Sequence, residues 1–295
     1  MSNFWSGWII VISLANILGC VWLIWWASKP KKGEAAKGDV TGHTWDDDLQ
    51  ELNNPMPRWW LWLFYITIIY GLIYLAVYPG YGAYKGTFGW SQTGQYDEEM
   101  KAASQTYGPI FAAYGKQTAD ELVNNKAAMD SGRRLFLTYC ATCHGSDARG
   151  SQGYPNLSDN DWLYGGSPEQ IKTSIGEGRK SGVMPAFAHL GDKGIDDVAH
   201  YVMTLSGRKA DAAQAKAGKA TFDVQCVACH GADGKGNIFI GAPNLTDKIW
   251  LYGSTKRHIK TSIEKGRNGV MPAHKDFLGE DKVHLLSAYI YSLSK

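Results

Sequence analysis

The chain has 295 residues, a formal net charge of +2 at pH 7 and only five cysteines, and 44% of its residues are hydrophobic. So small a net charge excludes nucleic acid as a partner held by bulk charge, and four of the cysteines form two tight pairs, leaving none for a disulfide scaffold. The fifth, Cys20, lies in an apolar run and reads as a small membrane-embedded hydrophobe.

No charged residue occurs from 4 to 27, and none from 59 to 78. Each run is about 20 residues or more, enough for an α-helix to cross a bilayer, so transmembrane helices are expected at 1–27 and 59–78. Trp25, Trp26, Trp59, Trp60, Tyr78 and Tyr81 mark the ends as aromatic belts do at the headgroups. A cleaved signal peptide would have a basic start and an apolar core of about 7 to 15 residues; here no Lys or Arg precedes the first run, which is longer. Between the spans, 28–58 carries Lys29, Lys31, Lys32, Lys37 and Arg58. The positive-inside rule places that loop in the cytoplasm and both termini opposite. His43 belongs to this loop and has no identified role.

The segment 79–126 is expected to be a periplasmic interfacial linker. Its first part, 79–90, is rich in Gly and Tyr and reads as an irregular strap. The stretch 96–125 has helical patterning, with Met100, Tyr107, Ile110, Phe111 and Tyr114 as the apolar positions.

Beyond it the sequence repeats. Cys140-Ala141-Thr142-Cys143-His144 returns as Cys226-Val227-Ala228-Cys229-His230, Pro155-Asn156-Leu157 as Pro243-Asn244-Leu245, and Trp162-Leu163-Tyr164-Gly165 as Trp250-Leu251-Tyr252-Gly253. Both copies reach Gly-Val-Met-Pro, ending at Pro185 and Pro272. A repeat of roughly 80 to 90 residues exceeds the short solenoid periods and means two copies of one small domain, at 127–207 and 208–295. Paired cysteines followed at once by histidine are the attachment signature of c-type haem: two thiols add to the haem vinyl groups and the histidine ligates iron. Zinc sites and thiol-exchange centres also use such pairs, but two matches in equivalent places of a repeat favour haem. Such haem is attached on the outer face of a bacterial inner membrane, which agrees with the orientation drawn from the lysines.

Within each copy, helices are expected before the motif (130–139; 215–225), after Trp-Leu-Tyr-Gly (168–176; 256–265) and at the close of the domain (196–206; 281–293). Gly132 with Phe136, and Gly218 with Phe222, would let a closing helix bearing Tyr201 or Tyr289 approach. A domain of about 80 residues has a thin core, so folding should depend on the cofactor that fills it.

The haem domains resemble the class I cytochrome c fold, and the whole chain is similar to the membrane-anchored di-haem subunit III of cbb3-type cytochrome c oxidases. Beyond the haem motifs, the resemblance rests on Gly42-His43-Thr44-Trp45-Asp46 and Asn54-Pro55-Met56-Pro57-Arg58-Trp59-Trp60 before the second span, and on Tyr78-Pro79-Gly80 and Gly89-Trp90-Ser91 after it. It implies a mainly α protein: two transmembrane helices, then two tandem class I cytochrome c domains, with the catalytic haem-copper subunit, a mono-haem cytochrome c subunit and a soluble c-type cytochrome donor as partners. A one-span version exists in the family, so the first span is a permitted variation.

Met184 and Met271 occupy matching places in the repeats and are the candidate sixth ligands. A thioether opposite imidazole raises the reduction potential and leaves no open site, which suits electron transfer. His189 and His274 follow the methionines at unequal distances and are poorer candidates. His200, His258 and His284 fall in expected helices and read as surface or satisfied polar residues. The Pro155 and Pro243 carbonyls would orient the proximal imidazoles, and Trp162, Tyr164, Trp250 and Tyr252 could bond haem propionates. Arg179 and Arg267 are either propionate partners or solvated loop charges. Lys256, Arg257, Lys260, Lys265 and Arg267 either steer an acidic donor or form an ordinary solvated face.

Three function classes compete: an electron-relay subunit of a terminal oxidase, a tethered di-haem carrier serving another respiratory complex, and a di-haem enzyme such as a peroxidase or thiosulfate dehydrogenase. The matched methionines disfavour the third. Neither span contains His, so the chain cannot itself hold a membrane-embedded haem or copper; neither contains a carboxylate or Lys that would start a proton path. The reading that results is a non-catalytic relay subunit within a proton-transporting oxidase.

Overall fold

A computed structural model describes residues 1–180 and 184–295; Gly182 and Val183 of the first Gly-Val-Met-Pro run lie outside them. The chain divides into two units, Met1–Gln105 and Thr106–Lys295.

In the first unit the two charge-free runs are helices, α1 (Asn3–Ala27) and α2 (Arg58–Val77), and neither has a buried residue. Side chains as large and apolar as Phe4, Trp22, Trp62 and Tyr70 are exposed along them, which requires an apolar solvent. At the end of α1 the ammonium groups of Lys29 and Lys31 lie 3.4 and 4.2 Å from the ring centroids of Trp25 and Trp26, a cation–π arrangement suited to a headgroup layer. The loop between the spans contains a hairpin absent from the sequence reading: β1 (Val40–Trp45) pairs antiparallel with β2 (Leu49–Leu52). Its reversal uses Asp46 and Asp47 at φ 50° and 70°, a region Asp tolerates better than most residues.

After α2 the strap turns back on the helix end. The amides of Thr87 and Phe88 donate to the carbonyls of Ala76 and Val77 at 3.2 Å each, and the Tyr84 and Thr87 hydroxyls donate to the Ala76 carbonyl at 3.1 and 3.0 Å. Carbonyls that a helix C-terminus leaves unpaired are thereby satisfied. Tyr78 stacks on Tyr74 and meets Phe88 and Trp90 edge-on. α3 (Gln92–Gly115) follows and ends in the second unit.

The second unit is helical. α4 (Ala119–Val123) starts at a reciprocal cap, Thr118 with Glu121. α5 (Lys126–Tyr139), capped by Asn125, runs into the short α6 (Ala141–His144) that carries the first motif. α7 (Pro168–Glu177), capped by Ser167 and Gln170, leads to β3 (Arg179–Lys180). α8 (Gly191–Leu205), α9 (Ala212–Gln225), α10 (Val227–His230), α11 (Lys256–Lys265), β4 (Val270–Met271), α12 (Lys275–Leu278) and α13 (Glu280–Leu293) complete the chain.

The closing helices are exchanged. One core joins Phe136, Ile171 and Ile175 of the first repeat to Leu278, Val283, Leu286 and Ile290 of the second. The other joins Ile195, Val198, Ala199 and Val202 of the first repeat to Phe222, Ile259 and Ile263 of the second. Gly132 of α5 faces Tyr289 of α13, and Gly218 of α9 faces the Asp197 carbonyl of α8. The sequence reading has each closing helix packing within its own repeat; in the structure 196–206 packs on the second repeat and 281–293 on the first. The connection explains this: only 206–211 separate α8 from α9, and helices joined by so short a loop pack as a hairpin. α8 is thus committed to α9, and α13 takes the place left on α5. The segments leading to the two methionines cross as a small antiparallel ladder, Arg179 opposite Met271 and Lys180 opposite Val270, extended by reciprocal backbone bonds between Met184 and Arg267 at 3.1 and 2.9 Å.

Candidate haem-binding sites

Each Cys-x-x-Cys-His run is one helical turn whose first cysteine closes the preceding helix: the Cys140 amide donates to the Phe136 carbonyl and the Cys226 amide to that of Phe222. The glycines after the histidines, Gly145 and Gly231, take φ of 79° and 77° and turn the chain toward the proline loops. The Gly150 amide then donates to the His144 carbonyl at 2.7 Å, and the Gly236 amide to that of His230 at 2.8 Å. Side chains at these two glycines would collide with the Pro155 and Pro243 carbonyls.

Those carbonyls do what the sequence reading expects. The His144 Nδ1–H donates to Pro155 O at 2.9 Å, and the His230 Nδ1–H to Pro243 O at 3.2 Å. A carbonyl can only accept, so the proton sits on Nδ1 and the Nε2 lone pair is free for a metal. Burial pushes both imidazoles below the usual histidine pKa; the proline carbonyls oppose this, and for His144 the charge of His274 adds to the lowering. The net lowering favours the neutral imidazole, the state a metal needs. Burial, together with the neighbouring cysteine, raises Cys140 and Cys226 to about 11. A thiol-exchange centre needs a lowered thiol pKa, and no three His, Cys, Asp or Glu cluster as a metal site among the described residues. The zinc and redox-pair alternatives lose support on both grounds.

The first cavity, about 470 Å³, is lined by Cys140, Cys143, His144, Pro155, Trp162 and Met271. The second, about 250 Å³, is lined by Cys226, Cys229, His230, Pro243, Trp250 and Met184. The methionines are thus crossed: Met271 shares a cavity with His144 and Met184 with His230. Met184 and Met271 follow the histidines of their own repeats by 40 and 41 residues in sequence, but the exchange of the methionine segments sets each beside the histidine of the other repeat. Thiols, an Nε2 lone pair and a thioether around an apolar cavity fit a covalently held haem.

The rival histidines separate. His274 is buried in the first cavity with its Nδ1 unpartnered among the described residues, whereas His189 is exposed. His200 accepts from the Asp211 amide at 3.0 Å and His284 donates to the Gln117 carbonyl at 2.8 Å. His258 departs from expectation, its Nδ1 being buried without a partner among the described residues.

The arginines are fixed. Arg179 stacks on Tyr164 at 4.4 Å and donates to Ser174; Arg267 stacks on Tyr252 at 4.2 Å and donates to Ser262. Each lines its cavity, so the solvated-loop alternative is set aside. Of the basic stretch, Lys256 and Lys260 pair with Asp196 at 3.1 Å each, which removes them as free steering charges. Leu163, Leu251 and Tyr252 line both cavities and form a common wall; the repeat gave no signal of it, because it arises only from the crossing.

Comparison with known proteins agrees with the geometry. Residues 127–202 and 213–290 match the family "Cytochrome C oxidase, cbb3-type, subunit III", and 37–85 match the "N-terminal domain of cytochrome oxidase-cbb3, FixP". The cbb3-type cytochrome c oxidase subunit CcoP of Rubrivivax gelatinosus is 45% identical over all of this chain and 98% of its own. That of Rhodobacter capsulatus is 39% identical over 86% of this chain and 95% of its own, and subunit FixP of Rhizobium meliloti 38% over 90% and 98%. The domains matched bind haem c, and the apolar N-terminal helices make the chain membrane-anchored. With about half its length in the subunit III domains and a full-length relative at 45% identity, the chain belongs to the cbb3-type cytochrome c oxidase subunit III family.

Proposed function

We propose that this oxidase subunit holds two c-type haems and relays electrons from a soluble c-type cytochrome toward the mono-haem and catalytic haem-copper subunits. The observation that carries this is the convergence, in each of two cavities, of a Cys-x-x-Cys-His turn with a methionine from the other repeat. Cys140, Cys143 and His144 with Met271 hold one group; Cys226, Cys229 and His230 with Met184 hold the other. A c-type haem supplies one-electron redox chemistry when bound. The protein's part would be to fix the imidazoles through Pro155 and Pro243, to offer a thioether to the iron, and to exclude water with Trp162, Trp250 and the buried Ile171, Ile175, Ile259 and Ile263. Arg179 and Arg267, which line the cavities, would neutralise propionates. A methionine in each cavity, able to fill the iron's remaining position, supports relay over the peroxidase or dehydrogenase alternative, and family membership supports it over a carrier for another complex.

The chain crosses the inner membrane twice, with 28–58 in the cytoplasm and the haem domains in the periplasm. The lysines at 29–37 support this orientation. A periplasm-active reporter should be silent after Ala36 and active after Lys295; the reverse pattern overturns it. Purification in mild detergent should recover a polytopic haem-copper subunit and a mono-haem cytochrome, with two covalent haems on this chain. Recovery with a different respiratory complex, or one haem per chain, refutes the relay as stated.

A further inference from the structure

The two proline loops differ in length and in what covers them. Pro155 lies 11 residues beyond its histidine and Pro243 lies 13 beyond. The shorter loop is tied down: the Gly153 amide donates to the Leu251 carbonyl at 2.8 Å and Gln152 to that of Tyr252 at 3.2 Å. The longer one carries Ile238, Phe239 and Ile240 to the surface, with Phe239 88% exposed.

This tip is rigid. Asn237 and Ala242 exchange backbone hydrogen bonds at 2.9 and 3.0 Å, and the Asn237 side chain accepts from the Phe239 amide at 2.9 Å. Three consecutive apolar side chains on a braced turn are unfavourable in water unless something covers them. Ile240 and Ile249 also line the second cavity, beside Cys229 and His230, so the tip is continuous with the edge of a redox site. Its surroundings are basic. Residues 231–260 carry five cations against two carboxylates, a net of +3, whereas the matching 145–172 carry two against four, a net of −2. With Lys256 and Lys260 paired to Asp196 and Lys235 to Asp233 at 3.9 Å, Lys248 and Arg257 remain as the exposed cations of this stretch without an ion pair among the described residues.

We propose that Ile238, Phe239 and Ile240, together with the exposed Lys248 and Arg257 of the same basic stretch, are the docking surface for a soluble electron-donating protein whose own cofactor edge is ringed by carboxylates. The proposal rests on the relay described above and assigns its entry point to the second site. Apolar contact gives the close approach electron transfer needs, and the net positive charge of the stretch steers the encounter. The donor loses one electron per encounter, and oxygen at the catalytic subunit is the terminal acceptor.

The test uses the purified oxidase complex in detergent, with oxygen consumption driven by either of two reductants. One is a reduced small c-type cytochrome of net negative charge; the other is a neutral phenylenediamine, which needs no docking surface. Phe239→Ser should raise KM for the cytochrome by roughly five- to tenfold and leave the phenylenediamine rate unchanged. Lys248→Glu should act in the same direction, and the wild-type KM should rise with salt. An unchanged KM in Phe239→Ser overturns the proposal, as does an equal loss with both reductants. If the variant differs from wild type only in anionic phospholipid vesicles and not in detergent, the tip's occupant is lipid and the proposal fails. A wild-type complex that takes electrons from the phenylenediamine but ignores the acidic cytochrome sinks only the docking surface; one that takes none from either sinks the relay.

Discussion

Met271, in the second repeat, lines the cavity that contains His144, in the first, while Met184 lies with His230. Neither repeat therefore contains a complete site. A chain ending at residue 207 keeps the first motif and Met184 but lacks Met271 and α13. It should lack the weak near-infrared band of methionine–iron ligation, and the band should return when 208–295 is co-expressed as a separate chain. A truncated chain that shows the band unaided would restore the in-line pairing.

The exchange is locked by Asp196 on α8, which receives Lys256 and Lys260 from α11 and Gln214 from α9. Burial alone would raise this carboxyl, but hydrogen bonds from Lys256, Lys260 and Gln214 and the Lys260 charge outweigh it and hold the pKa at about 2. A depressed carboxylate stabilises the fold fully above its unfolded value, about 3.9, and that contribution is lost as pH falls through about 2. Asp196→Asn should cost about 1 kcal/mol at pH 7, solvent screening included. Thermal unfolding should show the gap between variant and wild type closing as the pH approaches 2; a gap that stays constant would detach the effect from this carboxylate.

Two glycines set how closely the exchanged helices approach. A Cβ on Gly218 would strike the Asp197 carbonyl, and one on Gly132 the Cβ of Tyr289, whereas one on Gly176 meets only ordinary contacts. Gly218→Ala and Gly132→Ala should each destabilise by about 1 to 3 kcal/mol through overpacking, with Gly176→Ala neutral or slightly stabilising. Equal behaviour of all three in thermal unfolding would mean the helix contacts are not as close as described.

The spans, the motifs and the helices of each repeat were legible because each is written in local pattern: charge-free runs, Cys-x-x-Cys-His, and caps such as Ser167 before Pro168. The crossing was not, because similarity between repeats makes it invisible. Tyr201 on Phe222 and Tyr289 on Phe136 satisfy the same pattern as the in-line pairs would. The short 206–211 connection was the one available signal, since it commits α8 to α9. The Val40–Trp45 hairpin escaped for a different reason: its strands bury almost nothing, so no alternation marks them.

Replacing Met271 tests ligation and crossing together. Met271→Ala removes the thioether from the cavity of Cys140, Cys143 and His144, so half of the near-infrared band should vanish and the potential of that haem should fall, a soft ligand having been lost. His274 lies buried in the same cavity with Nδ1 unpartnered among the described residues, and besides His144 it is the histidine that lines this cavity among the described residues. Carbon monoxide should bind the Met271→Ala chain at one haem and the wild type at none. Binding only in Met271→Ala/His274→Ala would show that His274 moves onto the iron once the thioether is gone. Carbon monoxide binding to the wild type would mean a site already open, and the closed-shell relay would yield to an enzymatic di-haem protein. Where Met184→Ala rather than Met271→Ala removes the band belonging to the first motif, ligation follows the repeats and the crossed assignment is wrong.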